Sequence, residues 1–358
     1  GIWAGSGTRH EPPELNGISH FIEHMLFKGT KTRDASELAE LMDMLGGEVN
    51  AFTTNECTCY YGRVLDTELP RVVGLLSDMF FNSRFDEECV NVERGVINEE
   101  INMSMDEPEE FCVDKLLLGV FDKPPLGMPI LGTRETLKGI KSETLRSYMK
   151  SHYTGDGIVI SLAGNFTDGD IDNIKAVFSA CEAAKRPQSA ESRYRPHISA
   201  AVRQTEQSHI AIGFPGLSYR SDRRFALALL NGIVGANMSS RLFQRVREKL
   251  GLCYSVYSLL ATHEDTGALA VYVGTGKETE RQAVVEIGAE ISRLVRDGIT
   301  KEELNKVRMQ IKSGMLMSLE STSARMNHMG KNLLLAGRVP TADEIAAKYD
   351  AVTEADIM

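Results

Sequence analysis

The sequence predicts an α+β fold made twice, each copy a mostly antiparallel sheet with helices packed on one side. Three observations carry this. Segments with helical apolar spacing are mixed with runs rich in β-branched and aromatic residues. A polar, Pro-containing stretch without period, 184–207, divides the chain and reads as a linker. The half of the chain after that linker repeats the half before it. The 358 residues, 42% of them hydrophobic, exceed what one core usually holds, so two domains of roughly 150 to 200 residues are expected. The boundaries are 1–183, the linker 184–207, and 208–358.

In chain order, GIWAGSG reads as a strand already under way, so residues are expected before it. Asn16 to Lys28 has helical apolar spacing and stops at Gly29; Ala35 to Leu45 repeats the pattern and stops at Gly46-Gly47. Glu48 to Val64 is one long strand or a hairpin, from its β-branched and aromatic content. Helices come next at Thr67 to Phe81, Asp86 to Met105 and Pro108 to Phe121. Beyond the Pro-Gly-rich DKPPLGMP lie a short helix ending near Tyr153, the strand GIVISLAG, and a helix from Gly169 to Ala183.

In the second half, IAIGFPGLSYRSDRRFALALLNGIVG answers IWAGSGTRHEPPELNGISHFIEHMLF. SRLFQRVREKLGLCYSVYS answers SELAELMDMLGGEVNAFT, and DGITKEELNKVRMQIKSGM answers SRFDEECVNVERGVINEEI. The first copy closes with a strand and a helix that the second lacks, so the natural chain is expected to continue past Met358.

A formal charge of -10 argues against nucleic acid and mildly favours basic ligands. No apolar run approaches the roughly 18 residues of a membrane span. Six cysteines with no CxxC spacing need no disulfide framework, which points to a reducing compartment.

The chemistry centres on His20-Phe21-Ile22-Glu23-His24. On a helix the two histidines share a face, with about 6 Å between their side-chain roots, which suits two imidazoles on one metal ion. Glu23 borders that face and can reach a water on the metal, the placement of a general base. A hydrolytic zinc site needs a third protein ligand, and the second copy supplies none. Among Glu93, Glu99 and Glu100, the first and last are two helical turns apart on one face, whereas Glu99 points about 100° away. One of the pair can ligate while the other orients a histidine.

HFIEHMLFKGT followed by ERGVINEE, with 75 residues between His24 and Glu100, resembles the inverzincins, the pitrilysin, insulin-degrading enzyme and mitochondrial processing peptidase family. GGEVNAFTTNECTCYY, LGMPILGT and the RxxxxxxY of Arg247 and Tyr254 extend the resemblance over the whole chain, and the short, two-domain bacterial and mitochondrial branch is the most similar.

The resemblance implies one zinc ion per chain, held by His20, His24 and Glu100, with Glu23 activating water and Glu93 assisting. Asn50 and Ala51 match a sheet edge where substrate peptide adds as a strand. Arg247 and Tyr254 match residues that contact substrate and polarise the scissile carbonyl. Glu110 and Asp114, four apart on a helix, fall where processing peptidases bind an arginine beside the cut, so basic or arginine-containing peptides are the expected substrates. An active homodimer is expected. The implied activity is zinc-dependent endoproteolysis of peptides or unfolded presequence-like segments; the alternative is a non-catalytic structural or partner subunit of the same fold.

Overall fold

The computed structural model describes residues 1–121, 126–185 and 189–358, so parts of the DKPPLGMP loop and of the expected linker lie outside the described residues. In chain order the first half contains β1 (Ile2–Ala4), α1 (Ile18–Leu26), α2 (Ala35–Met44), β2 (Glu48–Thr53), β3 (Thr58–Arg63), α3 (Leu69–Asn82), α4 (Glu87–Asp106), α5 (Pro108–Val120), α6 (Arg134–Gly139), α7 (Ser142–His152), β4 (Ile158–Ile160) and α8 (Asp168–Phe178). The second half contains β5 (Ser208–Pro215), α9 (Arg224–Val234), a π-helical stretch Phe243–Lys249, β6 (Cys253–Thr262), β7 (Gly267–Thr275), α10 (Glu280–Asp297), α11 (Lys301–Ser318), α12 (Thr322–Ala336), α13 (Ala342–Ala351) and α14 (Glu354–Ile357).

By internal packing the chain forms two units. The first comprises Gly1–Met103, Pro124–Ala190 and Leu319–Val339; the second comprises Ser104–Lys123, Glu191–Ser318 and Pro340–Met358. This division cuts across the sequence division at 184–207, because α5 packs with the second unit and α12 with the first.

In the first unit all strands are antiparallel, in the order β2-β3-β1-β4. The stretch expected as a strand or hairpin is a hairpin. Thr53 pairs with Thr58, and the turn closes with Thr54 N–H on the Cys57 carbonyl at 2.8 Å. Alternation along the strands sorts side chains to two faces. Ile2, Ala4 and Tyr60 face the main core with Phe21, Ile22, Met25 and Leu38 from α1 and α2. Trp3, Cys57 and Cys59 face the other way and meet Met326 of α12. The Trp3 indole N–H donates to Met326 Sδ at 3.3 Å. A side chain at Gly330 would put its Cβ 2.1 Å from Trp3 Nε1, so only glycine lets α12 approach this closely. Helices of the first half thus cover one face, as expected, and α12 from the second half of the chain covers the other.

Several boundaries differ from the sequence reading: α3 starts at Leu69 rather than Thr67, the strand expected over GIVISLAG is only Ile158–Ile160, and the short helix before Tyr153 is the pair α6 and α7. α1 starts at Ile18 rather than Asn16, because Gly17 takes φ +93 and breaks the helical run. α8 ends at Phe178, short of Ala183; Phe178 seats against Phe80 and Phe81, and the Glu182 carbonyl turns away to accept from Gly155 N–H.

The second unit repeats the arrangement with the sheet order β5-β7-β6, again antiparallel. Its core joins Val246, Leu252, Val256, Val271, Val273, Ala283 and Ile287, and a second cluster joins Leu229, Ile233, Leu304 and Val307 between α9 and α11. No helix among the described residues is long and apolar enough to cross a membrane.

Candidate metal centre

The N-terminus of α1 is held from outside the helix. Gly17 offers no side-chain cap, and the buried carboxylate of Glu11 takes that place: it accepts from Gly17 N–H at 2.7 Å, Ser19 N–H at 2.8 Å and the Asn16 amide at 3.0 Å. Burial raises the pKa of Glu11, against those hydrogen bonds. The LGMPILGT segment closes over the same spot. Asn16 donates to the Pro129 carbonyl at 2.9 Å, Thr136 donates to the Asn16 carbonyl at 2.8 Å, and the backbones of Gly17 and Gly132, both at positive φ, leave no room for a Cβ.

The helix so fixed presents its polar residues to one side while Phe21, Ile22 and Met25 enter the core. His20 and His24 stand one turn apart with ring centroids at 4.5 Å. Glu100 of α4 reaches both: its Oε2 lies 3.7 Å from His20 Nε2 and 3.5 Å from His24 Nε2. Among the described residues these three form the group able to hold a metal, with donor atoms within 4.8 Å of one another. Ligands bonded tetrahedrally at zinc distances stand roughly 3.4 Å apart. Glu100 Oε2 and His20 Nδ1 are buried with no hydrogen-bond partner. A buried carboxylate oxygen left without a donor is costly, and a divalent cation is the group that satisfies it. The donor set of one hard oxygen and two imidazoles fits the three protein ligands of a hydrolytic zinc site.

Glu93, two turns before Glu100 on α4, does not enter that triangle. Its Oε1 meets His24 Nδ1 at 2.8 Å and its Oε2 meets Lys28 Nζ at 2.9 Å. A carboxylate only accepts, so Nδ1 carries the proton and His24 turns its Nε2 lone pair toward Glu100. Burial works to raise the carboxyl of Glu93, but His24 and Lys28 bring it below its usual range. Burial likewise works to lower His24, and the Glu93 hydrogen bond with the neighbouring carboxylates outweighs it, so the imidazole sits above its usual value. His20 has no such support and is lowered to about 3, by burial first and by His24 second. Glu99 points away, as its spacing predicted, and is exposed with Asn102 at 3.3 Å.

Glu23 stays outside the triangle. Its Oε2 accepts from Thr53 Oγ1 at 2.5 Å, and burial raises its pKa against that bond. Thr53 ends β2, so the hairpin holds Glu23 from the sheet side.

Asn50 and Ala51 lie on β2, the edge strand of this sheet, where Ala51 N–H is taken by Asn50 Oδ1 at 2.8 Å. Glu110 and Asp114 lie on α5 in the second unit; Asp114 is raised by burial and then by the Glu110 charge. Arg247 and Tyr254, also in the second unit, meet each other with the guanidinium 5.0 Å from the tyrosine ring. Sequence reasoning missed Thr53, Lys28 and Glu11. Lys28 had a signal, since it stands four residues after His24; Thr53 and Glu11 had none.

The duplicate shows what the same frame holds without the polar set. In register with Phe21 and Met25, Leu229 and Ile233 are buried on α9, which puts Ala228, Asn231 and Gly232 at the positions of His20, Glu23 and His24. On α11, Val307 and Gly314 stand for Glu93 and Glu100. A Cβ on Gly232 would lie 2.3 Å from Val307 Cγ1. The His24–Glu93 hydrogen bond of one unit is a closed apolar contact in the other.

Residues 1–134 match the family described as Insulinase (Peptidase family M16), and residues 139–311 match the Peptidase M16 inactive domain. The chain is 45% identical to the uncharacterized zinc protease YmxG of Bacillus subtilis, over 98% of this chain and 86% of that one. It is 38% identical to an uncharacterized zinc protease of Streptomyces coelicolor, over 100% of this chain and 80% of that one. In fold it is similar to a crystal structure of a protease from Helicobacter pylori, with TM-score 0.91 at 18% identity, covering 99% of this chain and 88% of that one. A Pseudomonas fluorescens structure of the peptidase M16 inactive domain gives TM-score 0.87, also at 18% identity, over 99% and 86%. With both matches spanning the described metal cluster and its duplicate, and relatives this similar over nearly the whole length, the chain belongs to the M16, or insulinase, peptidase family.

Proposed function

We propose that this chain is a zinc metalloendopeptidase with one metal site, in the first unit. The observation that carries the reading is the half-buried triangle of His20, His24 and Glu100 with Glu23 beside it. These three residues would hold the ion, and zinc bound there supplies Lewis acidity toward a carbonyl and toward water. Glu93 keeps the His24 proton on Nδ1. Glu23, raised by burial, takes a proton from water and returns it to the leaving amine; Thr53 fixes which carboxylate oxygen is free for that transfer.

Substrate binding is assigned to the β2 edge at Asn50 and Ala51, which has an unpaired side for an added strand. A strand settling there competes with the Asn50 side chain for Ala51 N–H. Arg247 and Tyr254 are assigned the substrate contacts expected from the resemblance. A preference for arginine is supported by Glu110 and Asp114, four residues apart on α5, where burial and then the Glu110 charge raise Asp114.

Glu23→Gln is expected to keep zinc and to lose about 10²- to 10⁴-fold in hydrolysis of a quenched fluorescent peptide. Metal content and rate are measured on the same sample; unchanged hydrolysis overturns the mechanism. Zinc content near zero in folded wild type favours the alternative, a non-catalytic subunit. In a peptide library, replacing Glu110 and Asp114 by alanine is expected to erase the arginine preference, and an unchanged cleavage pattern removes it.

A further inference from the structure

Two irregularities in the second unit converge on one pair of side chains. The first is the π-helical stretch Phe243–Lys249, at the position of α2 in the duplicate. Leu242 is fully buried, like Leu38 in the first copy, and the stretch from Leu242 to Leu250 holds one residue more than that from Leu38 to Leu45. One extra residue inside a helix is accommodated as a π turn, a feature that costs stability and recurs at functional sites. The second is in β6. Its register against β7 steps from Cys253–Thr275 to Ser255–Gly274, so Tyr254 is left unpaired in a bulge. Bulges re-aim a side chain.

Both devices serve the same group. Phe243 opens the π stretch and Arg247 lies one turn later, its guanidinium 4.6 Å from the Phe243 ring and 5.0 Å from the ring of Tyr254. Arg247 packs against both aromatic rings, and its carboxylate contact, Glu248 at 3.8 Å, is long. Tyr254 remains 74% exposed, so the guanidinium and phenol are offered outward rather than used in the core. A planar guanidinium packed against aromatic rings loses rotational freedom while the N–H donors at its edge stay available.

We propose that Phe243 is a positioning residue for substrate: it stacks Arg247 against Tyr254, and the π turn and the β-bulge exist to bring the three together. This rests on the reading of Arg247 as a substrate contact. Phe243 itself need not touch the peptide.

The test uses the full chain and a quenched fluorescent peptide, with Phe243→Leu, Phe243→Tyr, Arg247→Lys and the double variant Phe243→Leu/Arg247→Lys. Stacking of this kind is worth about a tenfold effect. Phe243→Leu is expected to lower kcat/KM about that much, Phe243→Tyr to restore it, and Phe243→Leu to add nothing once Arg247 is lysine. The second readout does not depend on activity. In arginine-labelled protein, the Arg247 Nε–H resonance, identified by its loss in Arg247→Lys, is expected upfield from the ring currents and to move toward its ordinary position in Phe243→Leu. An unmoved resonance overturns the stacking. A moved resonance with unchanged kcat/KM, or an equal loss from Phe243→Leu in the lysine background, overturns the positioning role. Full activity of Arg247→Lys overturns the underlying assignment and the proposal with it, and the resonance separates that failure from a failure of stacking.

Discussion

His24 is the residue whose surroundings decide the pH response of the metal cluster. His20, at about 3, is neutral throughout the working range and always offers a lone pair. His24 is raised by Glu93 and the carboxylates around it, so the proton that competes with zinc is held there. In the metal-free protein, protonated His24 contributes stability that is present below the ordinary histidine value and lost as pH rises through the raised one. Zinc has to displace that proton, so the rise in Tm on adding zinc is expected to shrink as pH falls from 8 to 6. Glu93→Gln removes the charge that lifts His24 while leaving an acceptor. It is expected to weaken zinc binding at pH 8 by about 10- to 100-fold and to flatten the dependence on pH. Calorimetric titration across that range checks both, and a Glu93→Gln profile parallel to wild type would exclude Glu93 as the cause. The candidate residues were legible because their spacings are local: four residues on α1 and seven on α4 are facts of helical period, though not which of Glu93 and Glu100 meets both imidazoles. Thr53 was not, because only the fold brings a strand end to a helix 30 residues away in sequence.

At the scale of the element, α1 depends on a carboxylate that belongs to no helix. Glu11 uses both oxygens, one for Ser19 and one for Gly17 and Asn16, so neither alanine nor glutamine replaces it. Alanine leaves buried N–H groups unpaired, and glutamine turns an N–H₂ toward one of them. Either substitution is expected to cost about 2 to 3 kcal/mol in urea unfolding; a change under about 0.5 kcal/mol would show that water satisfies the helix end instead. Nothing in EPPELNG marks Glu11 as a cap, since the residues between take a loop path that carries no periodic signal. The hairpin at 48–63 was readable from its composition, but not as against one long strand, since both have the same alternation. The π turn in the stretch Phe243–Lys249 is hidden for a similar reason: a single extra residue shifts the period too little to show.

At the scale of the molecule, the duplication was read correctly as two sheets with helices, and the exchange of α5 and α12 between the packing units was not. Both helices have an ordinary apolar pattern, and neither says which sheet it will cover. The consequence is testable. Trp3, the single tryptophan, is 2% exposed and is covered by α12. A fragment of residues 1–183 lacks that cover, so its tryptophan emission is expected at the red, solvent-exposed end, and a synthetic Thr322–Ala336 peptide is expected to shift it back. Blue emission from the fragment alone would mean that the Trp3 face closes without α12.

The sequence by itself determined the α+β class, the duplication, the helix that carries His20, Glu23 and His24, and the glutamates two turns apart on α4. All of these follow from period, and period is written locally. Only the tertiary structure decided that Glu100 meets both imidazoles while Glu93 turns to His24 and Lys28, that Thr53 holds Glu23, and that Gly232 against Val307 closes the duplicate's equivalent space. Those outcomes depend on which faces meet at what distance. They are set by how whole elements pack, and no local spacing encodes that.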